Sequence, residues 1–400
     1  NPLLEGYRHG LISDLLLNTQ KPIPVIRMVK DRSDIGREMI NNGAAGKIRL
    51  PIDEASVAAF LGKAEEAVNQ AWRDRAAGRV QYTTNEMAGA DDLSYERKTI
   101  AVWLPKGGGS TRTTIAVNLA VAFSHVELGK QSTILLDLDM SKGDCHTLLG
   151  FTTDPAEAKR YDIRLLNHDL YTLVARTKSA YEHQGARVIN ALQVNPALVA
   201  WEPKQSRLAL LPGLTNAANA GSPEMREMDL LYNIACQIIE TVQRRATFVV
   251  IDLGQDFTRP FHRAALEVAD QVLVPVPPIR SAILDTRHAL RVFQEAGQLD
   301  KFSLVITAYD AAFGWSAQQI IQALEPLTRV GPNIPFDAQT ANLAVNQGMP
   351  VVCMSPQSTL AQALLDLAGV FYPPLSKSTR KTSWIERLKQ STNRIMFRGA

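Results

Sequence analysis

Six apolar segments recur between residues 99 and 307, and most are separated by helical stretches of ten or more residues. These segments are TIAVWLP (99–105), TILLDLD (133–139), RLALLPG (207–213), FVVIDLG (248–254), QVLVPV (271–276) and SLVIT (303–307). Near-continuous apolar runs of this length are typical of strands in a parallel sheet that helices cover on both faces. The pattern therefore predicts an α/β fold with a mostly parallel sheet.

The chain divides by composition into four segments. Residues 1–77 alternate short apolar strands, PVIRMV and AGKIRLP, with helical patterns. Residues 78–98 are polar and rich in turn-forming and charged residues, and we interpret them as a linker. Residues 99–372 contain the apolar strands of the main domain. Residues 373–400 form a basic tail, which carries seven Lys or Arg and one acid.

Charge and cysteine content narrow the class of protein. The formal net charge of +3 is too small to indicate a nucleic-acid-binding protein by itself. Cys145, Cys236 and Cys353 show neither a C-x-x-C pair nor metal-ligand spacing, which indicates a reducing compartment and small, buried, apolar side chains. No apolar run approaches the roughly 20 residues needed to span a bilayer, and the N-terminus shows no signal-peptide pattern. We therefore expect a cytoplasmic protein.

The stretch PKGGGSTRTTIAVNLA (105–120) follows the first apolar strand and has the pattern of a phosphate-binding turn that enters a helix. Glycines let the backbone curl so that successive N–H groups point at phosphate oxygens, and the helix N-terminus adds its positive dipole. We predict a helix that begins at Thr113–Thr114 and ends near Gly129. The second glycine and the lysine of the common motif are absent, so a glycine-rich turn without a ligand is the alternative.

Carboxylates follow two of the downstream strands, as a nucleotide site with Mg²⁺ requires. Asp137 and Asp139 lie two residues apart at the end of TILLDLD, so the alternation of side chains along a strand directs both to the same side. Asp252 lies near the end of FVVIDLG. For each of them the alternative is a helix N-cap or a surface turn. Because two such strands follow a glycine-rich turn in the expected order, the sequence favours a site for ATP and Mg²⁺.

The glycine-rich turn and its helix resemble the deviant Walker A motif of the ParA/MinD superfamily of P-loop ATPases, which reads K-G-G-x-x-K-[ST] and continues into Asn-Leu-Ala. The resemblance lies in KGG (106–108) and VNLA (117–120). Counting forward from the first lysine puts Thr111 in the slot of the second lysine, whereas counting back from the asparagine puts Arg112 there. We prefer Arg112, because this count keeps the helix register and a cation and requires one extra residue in the loop.

The resemblance also implies roles for individual residues. The nucleotide-binding set that it implies is Lys106, Gly107, Gly108, Gly109, Ser110, Thr111, Arg112, Thr113, Thr114, Thr307, Pro335 and Phe336. Lys106 would reach across an ATP-bound homodimer to the partner's nucleotide, and Asp139 would act with it in hydrolysis. Thr113 would bind Mg²⁺ together with Asp137 and Asp252. Thr307 replaces the asparagine with which the family contacts the base, and Phe336 is equally well explained as a core residue.

Within the superfamily, the sequence resembles the CpaE/TadZ-like proteins of Tad-type pilus assembly. The similar segments are DLDMSKGDCHTLLG (137–150), 210–254, 266–290 and 334–352. They cover most of residues 99–370, so no single motif carries the resemblance alone.

Residues 1–77 resemble the second half of a response-regulator receiver domain, which CpaE-like proteins carry in degenerate form. The resemblance rests on the order of strands and helices and on LPID (50–53). Leu50 stands where receivers have the lysine that holds the phosphoryl group. We therefore expect a module that binds pilus or secretion proteins rather than a phosphorylation switch, and an unrelated small α/β domain is the alternative.

Placed on a helix, the tail 376–400 puts Ile385, Leu388, Ile395 and Met396 roughly on one side. A basic amphipathic helix suits an anionic membrane surface. MinD-like relatives use such a tail in this way, so the resemblance implies peripheral attachment at the inner face of the cell membrane. A solvated tail, or one docked on a partner, is the alternative.

These features predict an ATP-binding localisation or assembly factor of a Tad-type pilus or secretion machine, which dimerises around nucleotide and hydrolyses it slowly or not at all. An ATP-dead scaffold of the same machine is the first alternative. A ParA-type DNA or cargo partition ATPase is the second, and it is weakened because basic residues do not cluster in the main domain. We expect no specific nucleic-acid partner.

Overall fold

The computed structural model describes residues 26–29, 46–49, 97–105, 111–141, 143–184, 194–202 and 205–376. The chain divides into two compact units, Asn1–Glu86 and Met87–Ala400. In the first unit, strands β1 (Ile26–Val29) and β2 (Gly46–Arg49) pair in parallel. Both fall where the sequence predicts strands. The helices predicted around them, most of the linker and most of the basic tail lie outside the described residues.

The second unit is built on an eight-stranded sheet. Its strands are β3 (Lys98–Val102), β4 (Thr133–Asp137), β7 (Val199–Trp201), β8 (Leu208–Leu211), β9 (Phe248–Asp252), β10 (Gln271–Val276), β11 (Phe302–Ile306) and β12 (Thr328–Arg329). The order across the sheet is β12-β11-β10-β3-β9-β4-β8-β7. Every pair is parallel except β7 with β8, which is antiparallel. All six predicted strands are present, and the mostly parallel α/β fold is confirmed.

Short elements at the margins escape the sequence analysis. Edge strands β7 and β12 were not predicted, and strands β5 (Phe151–Thr152) and β6 (Arg164–Leu165) form a separate two-stranded parallel sheet. Strands of two or three residues do not show enough alternation to be recognised from sequence alone.

Helices cover both faces of the large sheet. They are α1 (Arg112–Ser124), α2 (Cys145–Leu148), α3 (Pro155–Tyr161), α4 (Leu170–Gln184), α5 (Met228–Gln243), α6 (Pro260–Val268), α7 (Arg280–Glu295), α8 (Ala317–Ala323), α9 (Ala338–Asn346), α10 (Val351–Met354) and α11 (Thr359–Phe371). Residues of α1 and α11 share one apolar core with Ile100 and Val102 of β3, whereas α5, α6 and α7 share the other with Ala101. Alternate residues of each strand therefore enter opposite cores. No helix among the described residues is long and apolar enough to cross a membrane.

Helix α1 ends at Ser124, earlier than the predicted end near Gly129. His125 takes an extended conformation (φ −65°, ψ 137°) and forms an antiparallel bridge with Ser206, which leads the chain away from the helix axis. The following turn folds back onto the helix end. A Cβ atom on Gly129 would lie 2.3 Å from the carbonyl oxygen of Phe123, so only glycine fits there.

Strand β9 lies between β3 and β4, so the carboxyl ends of these three strands are neighbours. Helix α1 begins beside them, because it follows β3 in the chain. In open α/β sheets, ligands bind at the carboxyl edge where the strand order reverses direction. The fold therefore brings the start of α1 and both acid-bearing strands to one edge.

Candidate nucleotide and cation site

Two buried aspartates lie side by side at this edge. Asp137 ends β4 and Asp252 ends β9, and they are direct partners in the parallel register. Leu135 and Val250, two residues earlier on each strand, belong to the core that contains α1, so strand alternation directs both carboxylates to the α1 side. Asp137 is 0% exposed and Asp252 is 2% exposed. Such burial excludes the alternative of a surface turn for both residues.

The N-terminus of α1 reaches the same point. The helix begins at Arg112, one residue before the predicted start, and Thr111 precedes it in a left-handed conformation (φ 57°). The side chain of Thr113 lies close enough to Asp252 to oppose the rise in the pKa of that carboxyl. Thr113, Asp137 and Asp252, which the sequence assigns to Mg²⁺, are therefore brought together. Lys106, Gly107, Gly108, Gly109 and Ser110 lie outside the described residues, and their contacts stay predictions.

Glycines make room for the Asp137 carboxylate. A Cβ atom on Gly143 would lie 2.6 Å from Asp137 Oδ2, and one on Gly213 would lie 2.6 Å from Asp137 Oδ1. The backbone also binds the carboxylate, since Cys145 N–H donates to Oδ2 at 3.0 Å and Asp139 N–H lies 3.4 Å from Oδ1. The carboxylate is thus held in one orientation.

Electrostatics disfavour two ionised carboxylates here in the absence of a cation. Burial, followed by the charge of Asp252, raises the pKa of Asp137 well above its usual value. Burial also raises the pKa of Asp252 to about 6, although Arg112 and the hydroxyl of Thr113 oppose the shift. The second carboxylate oxygen of Asp252, Oδ1, is buried and accepts no hydrogen bond from the described residues. A divalent cation would supply both the missing partner and the missing charge, so these residues fit Mg²⁺.

Arg112 projects across the end of β9. Its Nη1 donates a 2.8 Å hydrogen bond to the carbonyl of Leu253, and its Nη2 lies 3.9 Å from Asp139 Oδ2. Both side chains are largely shielded from solvent, at 10% and 18% exposure. Arg112 therefore lies beside the proposed catalytic acid, in the first turn of α1. Thr114, which is also predicted to bind nucleotide, lies in the same turn.

A buried histidine contacts the backbone of both segments that follow β4 and β9. His262 on α6 is 1% exposed, and its Nε2 lies 2.9 Å from Leu138 O and 3.2 Å from Gly254 N. Its Nδ1 lies 2.6 Å from Asp256 O. Burial lowers its pKa, which favours the neutral imidazole. His262 was not predicted as a site residue, because a single histidine in a helix forms no motif that the sequence would show.

Cys145 is the second residue that the sequence analysis missed. It is fully buried in the apolar core that contains α1, as expected, and its thiol also lies 3.5 Å from Asp252 Oδ2. One ligand atom from each of Asp137, Cys145 and Asp252 lies within 4.8 Å of the others. Cys353 is also buried, whereas Cys236 is only half-buried. The expectation of small, buried, apolar cysteines is thus met by Cys145 and Cys353 and only in part by Cys236.

The residues predicted near the base lie at the ends of β11 and of the segment before α9. Thr307 is 0% exposed, and its hydroxyl has no hydrogen-bond partner among the described residues. Pro335 forms a parallel bridge with Tyr309, and Phe336 donates its N–H to Tyr309 O. Phe336 is 54% exposed, so it is not a core residue. Thr307, in contrast, lies beneath the surface.

No protein-family model matches this sequence, and a search of curated proteins finds no match. Solved structures do match. The septum site-determining protein MinD of Pyrococcus horikoshii OT3, complexed with Mg-ADP, is 18% identical and superposes with a TM-score of 0.52 over 71% of this chain and 99% of that protein. The cell division ATPase MinD of Pyrococcus furiosus gives 18% identity and a TM-score of 0.52 over 70% and 99%.

A ParA family ATPase from Chlorobium tepidum TLS is 15% identical, with a TM-score of 0.54 over 68% of this chain and 98% of that one. At such low identity the likeness concerns the fold alone. The main domain of this chain therefore has the P-loop fold of the ParA/MinD-type ATPases.

Proposed function

We propose that this chain binds ATP with Mg²⁺ at the edge formed by α1, β4 and β9, and dimerises around the nucleotide as a localisation or assembly factor. The observation that carries the proposal is that buried Asp137 and Asp252 are direct partners in the sheet, where Arg112 in the first turn of α1 hydrogen-bonds the residue that follows Asp252. A helix N-terminus, a hydroxyl and two carboxylates are the groups that hold a Mg²⁺–triphosphate in P-loop proteins. Mg²⁺ would neutralise the pair and polarise the phosphates.

Hydrolysis is proposed to be slow. Asp139, the acid assigned to catalysis, lies 3.9 Å from the Arg112 guanidinium, so its carboxylate faces a cation instead of being free to orient an attacking water. Arginine is also bulkier than the lysine of a working loop and presents a planar fork rather than a point charge. Both features favour retention of nucleotide over rapid turnover.

The finer assignment is a Tad-type pilus or secretion machine, and sequence similarity to CpaE/TadZ-like proteins supports it. Residues 1–77 would bind the machine, Lys106 would reach the partner's nucleotide in the dimer, and residues 376–400 would bind an anionic membrane surface. The Mg-ADP complex of the P. horikoshii MinD supports nucleotide binding by this fold.

Calorimetry tests nucleotide binding. We expect the full chain to bind ATP at millimolar concentration or below with Mg²⁺, and more weakly with a chelator. Absence of binding with Mg²⁺ would refute the proposal and favour the ATP-dead scaffold.

Three further measurements test the finer claims. Sedimentation should show an ATP-dependent dimer that Lys106→Ala abolishes. Liposome sedimentation should show binding that is lost without residues 376–400, and equal binding would exclude the membrane role of the tail. Salt-sensitive binding of duplex DNA by the main domain would favour the partition ATPase instead.

A further inference from the structure

We propose that Asp137, Cys145 and Asp252 form a binding site for a thiophilic divalent cation, Zn²⁺ foremost, and that this cation competes with Mg²⁺ for the two carboxylates. The competition rests on the proposed function, whereas the cation site itself needs no nucleotide. Among the described residues, this is the one group of three such side chains whose ligand atoms lie close enough to share an ion.

The separation between Cys145 Sγ and Asp252 Oδ2 matches that of two ligands on one zinc ion. Zn²⁺ binds sulfur at about 2.3 Å and carboxylate oxygen at about 2.0–2.2 Å with tetrahedral angles, so that a sulfur and an oxygen on one ion lie roughly 3.5 Å apart. Cys145 Sγ lies 3.5 Å from Asp252 Oδ2, and the ligand atoms of all three residues lie within 4.8 Å of one another. An ion can therefore enter with little movement of the protein.

The backbone holds these ligands in place before any ion arrives. Asp252 and Asp137 are partners in the sheet, and Cys145 N–H donates to Asp137 Oδ2 at 3.0 Å. Gly143 and Gly213 contact the Asp137 carboxylate so closely that a side chain at either position would displace it. Because the ligands are already ordered, the binding of a cation costs little conformational entropy.

The second oxygen of the Asp252 carboxylate has no hydrogen-bond donor among the described residues. Asp252 is 2% exposed, and its Oδ1 accepts no hydrogen bond within the part of the chain that the structure describes. A buried carboxylate oxygen that lacks a donor is costly, and a cation satisfies it directly. As the cation binds, the Cys145 thiol releases its proton to solvent and the thiolate sulfur becomes a ligand.

The thiol sets the preference among cations. Mg²⁺ requires oxygen ligands in near-octahedral geometry and does not use a thiol. Zn²⁺ and Co²⁺ accept sulfur and oxygen together in tetrahedral sites. Cys145 therefore adds a ligand for Zn²⁺ that Mg²⁺ cannot use, and a bound Zn²⁺ occupies both carboxylates that Mg²⁺ would need.

Cobalt titration of the nucleotide-free full chain tests the site, because Co²⁺ bound to sulfur gives a charge-transfer band in the near ultraviolet. We expect the band in the wild type and in Cys353→Ser, which removes a different buried thiol, but not in Cys145→Ser or Cys145→Ala. Calorimetry with Zn²⁺ should show at least about tenfold weaker binding by Cys145→Ala, as for other losses at metal sites. Circular dichroism establishes whether the variants are folded. Two substitutions of Cys145 are used so that the test can be made even if one variant does not fold.

A wild type without the band, or a band that survives in either Cys145 variant, would overturn the proposal. Competition is read separately, as the loss of Mg²⁺–ATP affinity after saturation with Zn²⁺. If Zn²⁺ binds and Mg²⁺–ATP affinity does not change, the competition is refuted and the site stands. If no ATP binds in any condition while the cobalt band is present, the proposed function fails and the cation site does not.

Discussion

The guanidinium of Arg112 donates a 2.8 Å hydrogen bond to the backbone carbonyl of Leu253, the residue that follows Asp252. The first turn of α1 is thereby joined to the loop that ends β9. The same guanidinium lies 3.9 Å from Asp139. The guanidinium in the first turn of α1 is therefore directed to the Leu253 carbonyl and the Asp139 carboxylate.

We expect Arg112→Lys to raise ATP turnover. Lysine replaces a planar guanidinium with a compact ammonium that can reach a phosphate. It also removes the hydrogen bond from Arg112 to the Leu253 carbonyl. A lowering of the barrier by about 1.4 kcal/mol corresponds to a rate increase of about tenfold. Phosphate release at saturating ATP and Mg²⁺ measures the change. The control is Arg263→Lys, at a surface pair with Glu267 on α6. An unchanged rate would show that Arg112 does not occupy the lysine slot.

Thr113→Ala should remove most of the gain in ATP affinity that Mg²⁺ provides. The hydroxyl of Thr113 lies at Asp252, where it can bind the cation, and alanine lacks it. We expect a loss of about tenfold in affinity with Mg²⁺, equivalent to about 1.4 kcal/mol, and little change in the presence of a chelator. Thr113→Ser keeps the hydroxyl and should restore binding. Equal losses with and without Mg²⁺ would assign Thr113 a purely structural role.

Asp252→Asn should stabilise the cation-free protein at alkaline pH. The pKa of Asp252 is about 6 in the folded protein and about 3.9 in an unfolded chain. The folded state thus binds this proton more tightly, so its stabilisation is complete below pH ~4 and is lost as the pH rises through ~6. Asparagine carries no charge, so the variant should exceed the wild type by roughly 1–3 kcal/mol at pH ~8.

Urea unfolding with a chelator at several pH values measures this difference. The gain should shrink as the pH falls towards ~4, where the wild-type carboxyl is protonated. Asp300→Asn, at an exposed position, is the control and should show no such trend. A difference that does not vary with pH would contradict the assignment.

Gly213→Ala should destabilise the protein and displace Asp137. The new Cβ would lie 2.6 Å from Asp137 Oδ1 and 2.9 Å from the Cα of Gly143. Overpacking of this kind costs about 1–3 kcal/mol. Gly221→Ala is the matched control, because a Cβ there meets nothing within 4 Å, and it should be neutral or slightly stabilising. Thermal unfolding compares the two, and equal stability would mean that the loop of Gly213 moves freely.

Much of the fold could be predicted because its signals are local. Continuous apolar runs identified all six predicted strands, and strand alternation places Asp137 and Asp252 on the side of α1. Helix α1 was found from its pattern, but its end was not, because the extended His125 pairs with Ser206, a residue far along the chain. Phe336, for which a core position was one interpretation of the sequence, is exposed.

The sequence by itself determined the α/β class, the six central strands and the acids at their ends, since each follows from the pattern of a few adjacent residues. Only the tertiary structure decided that β9 lies between β3 and β4. That order puts Asp252 beside Asp137 and brings it to Cys145, 107 residues away in the chain. It also brings His262 to Leu138, 124 residues away. Such contacts depend on which strands are neighbours, and no local period in the sequence encodes that choice.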